Sequence, residues 1–123
     1  MKKIIMLCMC AMMLCSCGTE EKEIEKSSSQ IINCTQKEEL MNQGAVLIDV
    51  RSASEYAEGH LDKSINLTVD TIGVNIEKLV SDKNTKIIVY CRSGNRSATA
   101  ANTLINLGYT NVYDLGAMSN CSK

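Results

Sequence analysis

Residues 90–97, Tyr-Cys-Arg-Ser-Gly-Asn-Arg-Ser, carry most of what can be read about the chemistry of this sequence. The cysteine of that segment, Cys91, follows the apolar run Lys86-Ile87-Ile88-Val89. It precedes Ser97–Leu107, whose apolar residues fall on one helical stripe. The first run reads as a buried strand by its β-branched content and length, and the second as a helix. A loop that leaves a central strand and feeds a helix turns successive backbone N–H groups inward and adds the positive end of the helix dipole. Negative charge on the Cys91 sulfur would be stabilised there, and thiolate character makes a cysteine a nucleophile. Arg92 and Arg96 bring positive charge to the rim, and at least one of them is expected to clamp an anion, since guanidinium presents a planar fork to an oxyanion. Gly94 allows a positive φ or the close approach of a substrate. Cys91 with Arg92, Ser93, Gly94, Asn95 and Arg96 is therefore the candidate site, and its chemistry is that of anionic sulfur. A buried thiol used only as filler would need neither the glycine nor the two arginines.

The elements that position this loop alternate regularly. Ile31–Cys34 is expected as a first strand, and Thr35-x-x-Glu38 as a capping box opening a helix to about Asn42. Ala45–Val50 is a second strand, apolar until Asp49. Ser52-x-x-Glu55 caps a short helix, and Ser64–Leu67 is a third strand. Val74–Val80 is a helix with Val74, Ile76, Leu79 and Val80 as its apolar positions. Lys86–Tyr90 is the fourth strand, and Asn111–Leu115 the fifth. Strands apolar on both faces and alternating with helices require a parallel sheet covered on each side. The fold class is thus α/β, three layers, with a five-stranded parallel sheet. Asp49 and Arg51, polar residues ending an apolar strand, are read as supporting groups that pair or hydrogen-bond to brace the loop. His60 is read as a helix-ending residue whose ring satisfies backbone groups. No His, Cys or Asp cluster has ligand spacing, so neither a metal nor another cofactor is expected.

Several separated motifs, in order, resemble the rhodanese (thiosulfate sulfurtransferase) family in its single-domain form. They are Leu47-Ile48-Asp49-Val50-Arg51 with Glu55-Tyr56 and Glu58-Gly59-His60-Leu61, then Ile65-Asn66-Leu67, the Cys91 loop, Leu107-Gly108-Tyr109, and Asn111 through Gly116. Together they cover roughly residues 31–118, and their agreement is stronger than that of any single motif. The chain departs from the family in having no proline, in Gly116-Ala117 where a Gly-Gly pair is common, and in ending at Lys123. The resemblance implies the strand order 1-5-4-2-3, which sets Asp49-Val50-Arg51 beside the Cys91 loop at the carboxyl edge of the sheet, where such sheets bind ligands. It assigns Asp49 no proton transfer.

What the resemblance implies chemically is a sulfurtransferase. The Cys91 thiolate takes the sulfane sulfur of thiosulfate or a polysulfide, and a thiol or cyanide then removes it from a Cys91 persulfide. The alternative is a membrane-tethered sulfur-carrier or binding module with little turnover. Phosphatases with a similar loop use Cys-x5-Arg, one residue longer than the Cys-x4-Arg of Cys91 to Arg96, which disfavours phosphoryl chemistry.

The N-terminus sets the setting. Lys2 and Lys3 precede the apolar stretch Ile4–Leu14, too short to span a bilayer, and Leu14-Cys15-Ser16-Cys17 resembles a bacterial lipobox. Residues 1–16 are then a signal peptide and Cys17 the lipidated N-terminus. Gly18–Gln30 would be a disordered tether reaching on the order of 20 Å, and residues 31–123 the domain. The expected location is the bacterial cell envelope, lipid-anchored on the extracytoplasmic side. With Lys and Arg at 13 against Asp and Glu at 14, nothing suggests nucleic acid binding, and a monomer is expected. An exported domain allows disulfides. With the implied strand order, Cys34 and Cys121 emerge at the same sheet edge. Three arrangements remain open: a Cys34–Cys121 disulfide, two free thiols, or Cys121 reaching toward Cys91.

Overall fold

The computed structural model describes residues 28–121. The expected signal peptide, the expected lipidation site Cys17 and nearly all of the expected tether lie outside that range. The elements run β1 (Gln30–Ile31), α1 (Cys34–Asn42), β2 (Val46–Asp49), α2 (Ala53–Glu58), β3 (Ile65–Asn66), α3 (Ile72–Leu79), β4 (Lys86–Cys91), α4 (Asn95–Asn106) and β5 (Asn111–Ala117), with a closing 3₁₀ turn, Met118–Cys121. All five strands are parallel in the order β1-β5-β4-β2-β3.

The period of two along β4 divides the core. Ile87, Val89 and Cys91 face one side, where they pack with Ile72 and Ile76 of α3 and Ala100, Ala101 and Leu104 of α4. Ile88 and Tyr90 face the other, against Ile32, Leu47 and Leu115, with Leu40 and Met41 of α1 and Met118 partly buried beside them. A strand buried on both faces has no polar position to give away, and Ile87 through Cys91 are all fully buried. The site cysteine therefore hangs from the most constrained strand of the sheet.

Several expected boundaries move. Gln30, assigned to the tether, pairs with Tyr113 in β1, and β1 ends at Ile31. The helix after it starts at Cys34 because Asn33, not Thr35, is its cap. Asn33 Oδ1 accepts from Gln36 N, and Gln36 Oε1 accepts from Asn33 N. Asn-x-x-Gln and Thr-x-x-Glu overlap here two residues apart, and asparagine is the better N-cap. Helix α3 also starts earlier than expected, so its buried stripe is Ile72, Ile76 and, just past its end, Val80. Val74 and Leu79, expected in the core, are exposed. The spacing i, i+4, i+8 fits the core better than the expected set once Ile72 is included. Helix α4 likewise begins at Asn95 rather than Ser97, and β5 continues to Ala117.

Strand β5 is irregular where it passes the site. Val89 pairs with Asp114 but Tyr90 pairs with Gly116, so Leu115 is an extra residue in β5. Such a bulge re-aims the chain locally. Here it sets the carboxylate of Asp114 beside the start of α4 and brings Ala117 opposite Cys91. The 3₁₀ turn that follows is joined to α1 by a disulfide between Cys121 and Cys34, with Cα atoms 5.2 Å apart. Cys121 is therefore not directed at Cys91, which is the free cysteine among the described residues.

Candidate active site

Cys91 ends β4, and its sulfur sits inside the turn that follows. Sγ accepts hydrogen bonds from Gly94 N (3.0 Å) and Ser97 N (3.3 Å). Both donors belong to the opening of α4, whose N-terminal N–H groups lack helical partners. Gly94, the N-cap, has φ 102°, a left-handed conformation in which a side chain would be strained. The loop therefore closes on the sulfur as the spacing of strand, glycine and helix requires. Such donors stabilise negative charge on sulfur without any neighbouring base.

The loop is held from below by a group that sequence reasoning did not single out. Ser97 is buried and its hydroxyl donates to Asp114 Oδ1 at 2.7 Å, with Gly94 O at 3.0 Å. The same carboxylate oxygen accepts from Gly116 N at 2.9 Å. The available signal was an acidic residue between Tyr113 and Leu115 in a strand expected to neighbour β4.

Asp49 and Arg51 are both buried and paired. Arg51 Nη2 donates to Asp49 Oδ2 at 2.6 Å and to Gly59 O at 2.7 Å. Asp49 Oδ2 also accepts from Tyr90 Oη (2.8 Å), whose oxygen in turn accepts from Leu61 N (3.0 Å) and lies 3.0 Å from Ser64 Oγ. The pair thus fixes the residue immediately before the nucleophile. Burial pushes the Tyr90 phenol up to about 12 from its usual 10. A raised acid favours folding below the unfolded value and loses that benefit as pH rises through the folded one. Tyr90→Phe should cost about 1–2 kcal/mol, because Leu61 N–H loses its acceptor. It should also flatten the fall in stability between about pH 10 and 12. Chemical denaturation across that pH range measures both, and an unchanged slope would show that another group governs the alkaline limb.

The two loop arginines part company. Arg96 is committed to Glu55 of α2, Nη1 to Oε1 at 2.8 Å and Nη2 to Oε2 at 3.1 Å. Hydrogen bonding from Arg96, with further support from Ser52, holds the Glu55 carboxyl well below the usual range. A depressed carboxylate contributes above its unfolded pKa and loses that contribution as pH falls through the folded one. The brace therefore persists into strong acid. Arg92, by contrast, is exposed and makes no hydrogen bond or ion pair among the described residues. Of the two arginines expected at the rim, at least one of them as an anion clamp, Arg96 is thus held as a brace and Arg92 is left unengaged among the described residues. Ser93 and Asn95 are exposed on the loop. Arg92, Arg51, Glu55, Glu58, Gly59 and Met118 surround a cavity of about 300 Å³ beside it. His60 stands apart from the sulfur chemistry. It stacks on Tyr56 with ring centroids 3.7 Å apart, and its Nδ1 lies 2.9 Å from Tyr56 O. Among the described residues no group of His, Cys, Asp and Glu is placed to hold a metal ion.

This geometry has close counterparts. The chain is 38% identical over 80 residues to the thiosulfate sulfurtransferase GlpE of Pseudomonas savastanoi pv. phaseolicola, covering 65% of this chain and 74% of that protein. It is 35% identical over 71 residues to the thiosulfate sulfurtransferase PspE of Escherichia coli, covering 58% and 68%. A rhodanese from Escherichia coli solved with anions superposes with a TM-score of 0.61 at 32% identity, covering 63% of this chain and 92% of that one. Residues 33–120, from the cap of α1 to the closing turn, match the rhodanese-like domain. With that match, the parallel sheet in the order β1-β5-β4-β2-β3 and the cysteine loop at its carboxyl edge, the chain belongs to the rhodanese-like domain family.

Proposed function

We propose that this protein is a sulfurtransferase that moves sulfane sulfur from an anionic donor such as thiosulfate to a thiophilic acceptor through a persulfide on Cys91. The observation that carries the reading is the Cys91 sulfur held by Gly94 N and Ser97 N at the start of α4. The thiolate attacks the outer sulfur of thiosulfate, the donor's S–S bond breaks, and its electron pair leaves on sulfite. The acceptor then attacks the outer sulfur on Cys91 and returns the electron pair to the Cys91 sulfur. Electrostatic stabilisation of charge on that sulfur, present before substrate arrives, is what the loop contributes. The activity of the relatives and the match of residues 33–120 support the same chemistry. An exported setting would complete the reading, with Cys17 lipidated and the domain tethered outside the cytoplasm.

Because Arg92 is unengaged among the described residues, Arg92→Ala should raise KM for thiosulfate roughly tenfold, the effect of losing one charge-assisted hydrogen bond. Thiosulfate-dependent thiocyanate formation from cyanide measures it. Complete loss of turnover with unchanged KM would instead assign Arg92 to the chemical step. Absence of any thiocyanate from the unaltered protein would leave the carrier reading in place of the enzyme.

A further inference from the structure

The cavity beside the Cys91 loop is larger, and differently charged, than an inorganic donor requires. At about 300 Å³ it enters the size range of sites for organic ligands. Four charged side chains line it. Two are neutralised within the protein, Arg51 by Asp49 and Glu55 by Arg96. The other two, Arg92 and Glu58, are exposed and make no hydrogen bond or ion pair among the described residues. A free guanidinium and a free carboxylate thus share one cavity, and Met118 supplies an apolar wall. A purely anionic ligand is attracted by Arg92 and opposed by Glu58. A ligand carrying both signs satisfies both.

We propose that this cavity receives the sulfur acceptor, and that the acceptor is a small zwitterionic thiol of the α-amino acid class, its carboxylate on Arg92 and its ammonium on Glu58. The inference rests on the persulfide reading above. The acceptor ionises, giving its proton to solvent, and its thiolate attacks the outer sulfur of Cys91–S–SH. A new S–S bond forms to the acceptor, and the bond between Cys91 Sγ and the outer sulfur breaks. The electron pair returns to Sγ, held by Gly94 N and Ser97 N, and the acceptor leaves as R–S–SH. No external oxidant or reductant enters.

The test loads Cys91 with thiosulfate, removes the excess, and follows discharge by intact mass spectrometry. Four probes are compared: L-cysteine with both charges, cysteamine with the ammonium, 3-mercaptopropionate with the carboxylate, and 2-mercaptoethanol with neither. Each rate is divided by that for 2-mercaptoethanol in the same variant, and these ratios are compared between the native protein and Glu58→Gln, which cancels intrinsic thiol reactivity. In Glu58→Gln the ratios for L-cysteine and cysteamine should fall about two- to fivefold, the scale of one partly exposed ion pair. That for 3-mercaptopropionate should rise. Ratios that do not move, or that move alike for every charged thiol, overturn the acceptor assignment. Failure to load sulfur at all overturns the persulfide reading instead, so the two failures are distinguishable.

Discussion

Cys91→Ser should abolish sulfur transfer, by about a thousandfold or more, while the domain stays folded. A serine hydroxyl at this position is neither ionised near neutral pH nor able to carry a sulfane sulfur as a persulfide does. It does offer an oxygen to Gly94 N–H and Ser97 N–H, which the cysteine sulfur accepts in the native protein. The loop donors therefore keep a partner, and the melting temperature should move by no more than roughly 5 °C, the effect of about 1 kcal/mol in a domain of this size. Thiocyanate formation and thermal unfolding, measured on the same preparation, separate chemistry from folding. Activity retained by the serine variant would overturn the mechanism.

The second large effect concerns the covalent link between α1 and the closing turn. Cys34 and Cys121 are 87 residues apart in sequence, so their bond constrains nearly the whole unfolded domain. Chain entropy for a loop of that length gives about 4.6 kcal/mol, a large share of the stability of a small domain. The double variant Cys34→Ser with Cys121→Ser should therefore lose roughly 15–30 °C of melting temperature relative to the oxidised protein. The 3₁₀ turn it releases has little else to hold it, chiefly Asn120 Nδ2 donating to Leu115 O at 2.8 Å and the packing of Met118. Non-reducing peptide mapping paired with thermal unfolding checks both parts. A native, air-oxidised protein in which both cysteines can be alkylated would contradict the link itself.

Much of this was legible in the sequence because the signals were local and redundant. An apolar run, a cysteine, a glycine and a helical stripe follow one another within residues 86–107, and each independently demands its element. The parallel sheet follows from strands apolar on both faces, as β4 shows. What escaped were choices between overlapping local patterns and contacts between distant segments. Asn33 and Thr35 both offer capping boxes, and asparagine, the better N-cap, takes the role. Ile72 was not counted in α3, so the exposed Val74 took its place in the expected stripe. Glu55 reads locally as a capping residue, which it is, but its hold on Arg96 joins positions 41 apart. Asp114 beneath Ser97 depends on the bulge at Leu115, and no local spacing announces a bulge. The separation of the two arginines into a brace and a free cation follows from those distant contacts.

The central claim is that Cys91 carries the sulfur. Peptide-resolved mass spectrometry of the purified protein after brief exposure to thiosulfate tests it directly. The account predicts a gain of one sulfur atom on the peptide containing Cys91, removed by cyanide with stoichiometric thiocyanate and absent from Cys91→Ser. Thiocyanate formed while Cys91 stays unmodified, or sulfur found on a different residue, would contradict it.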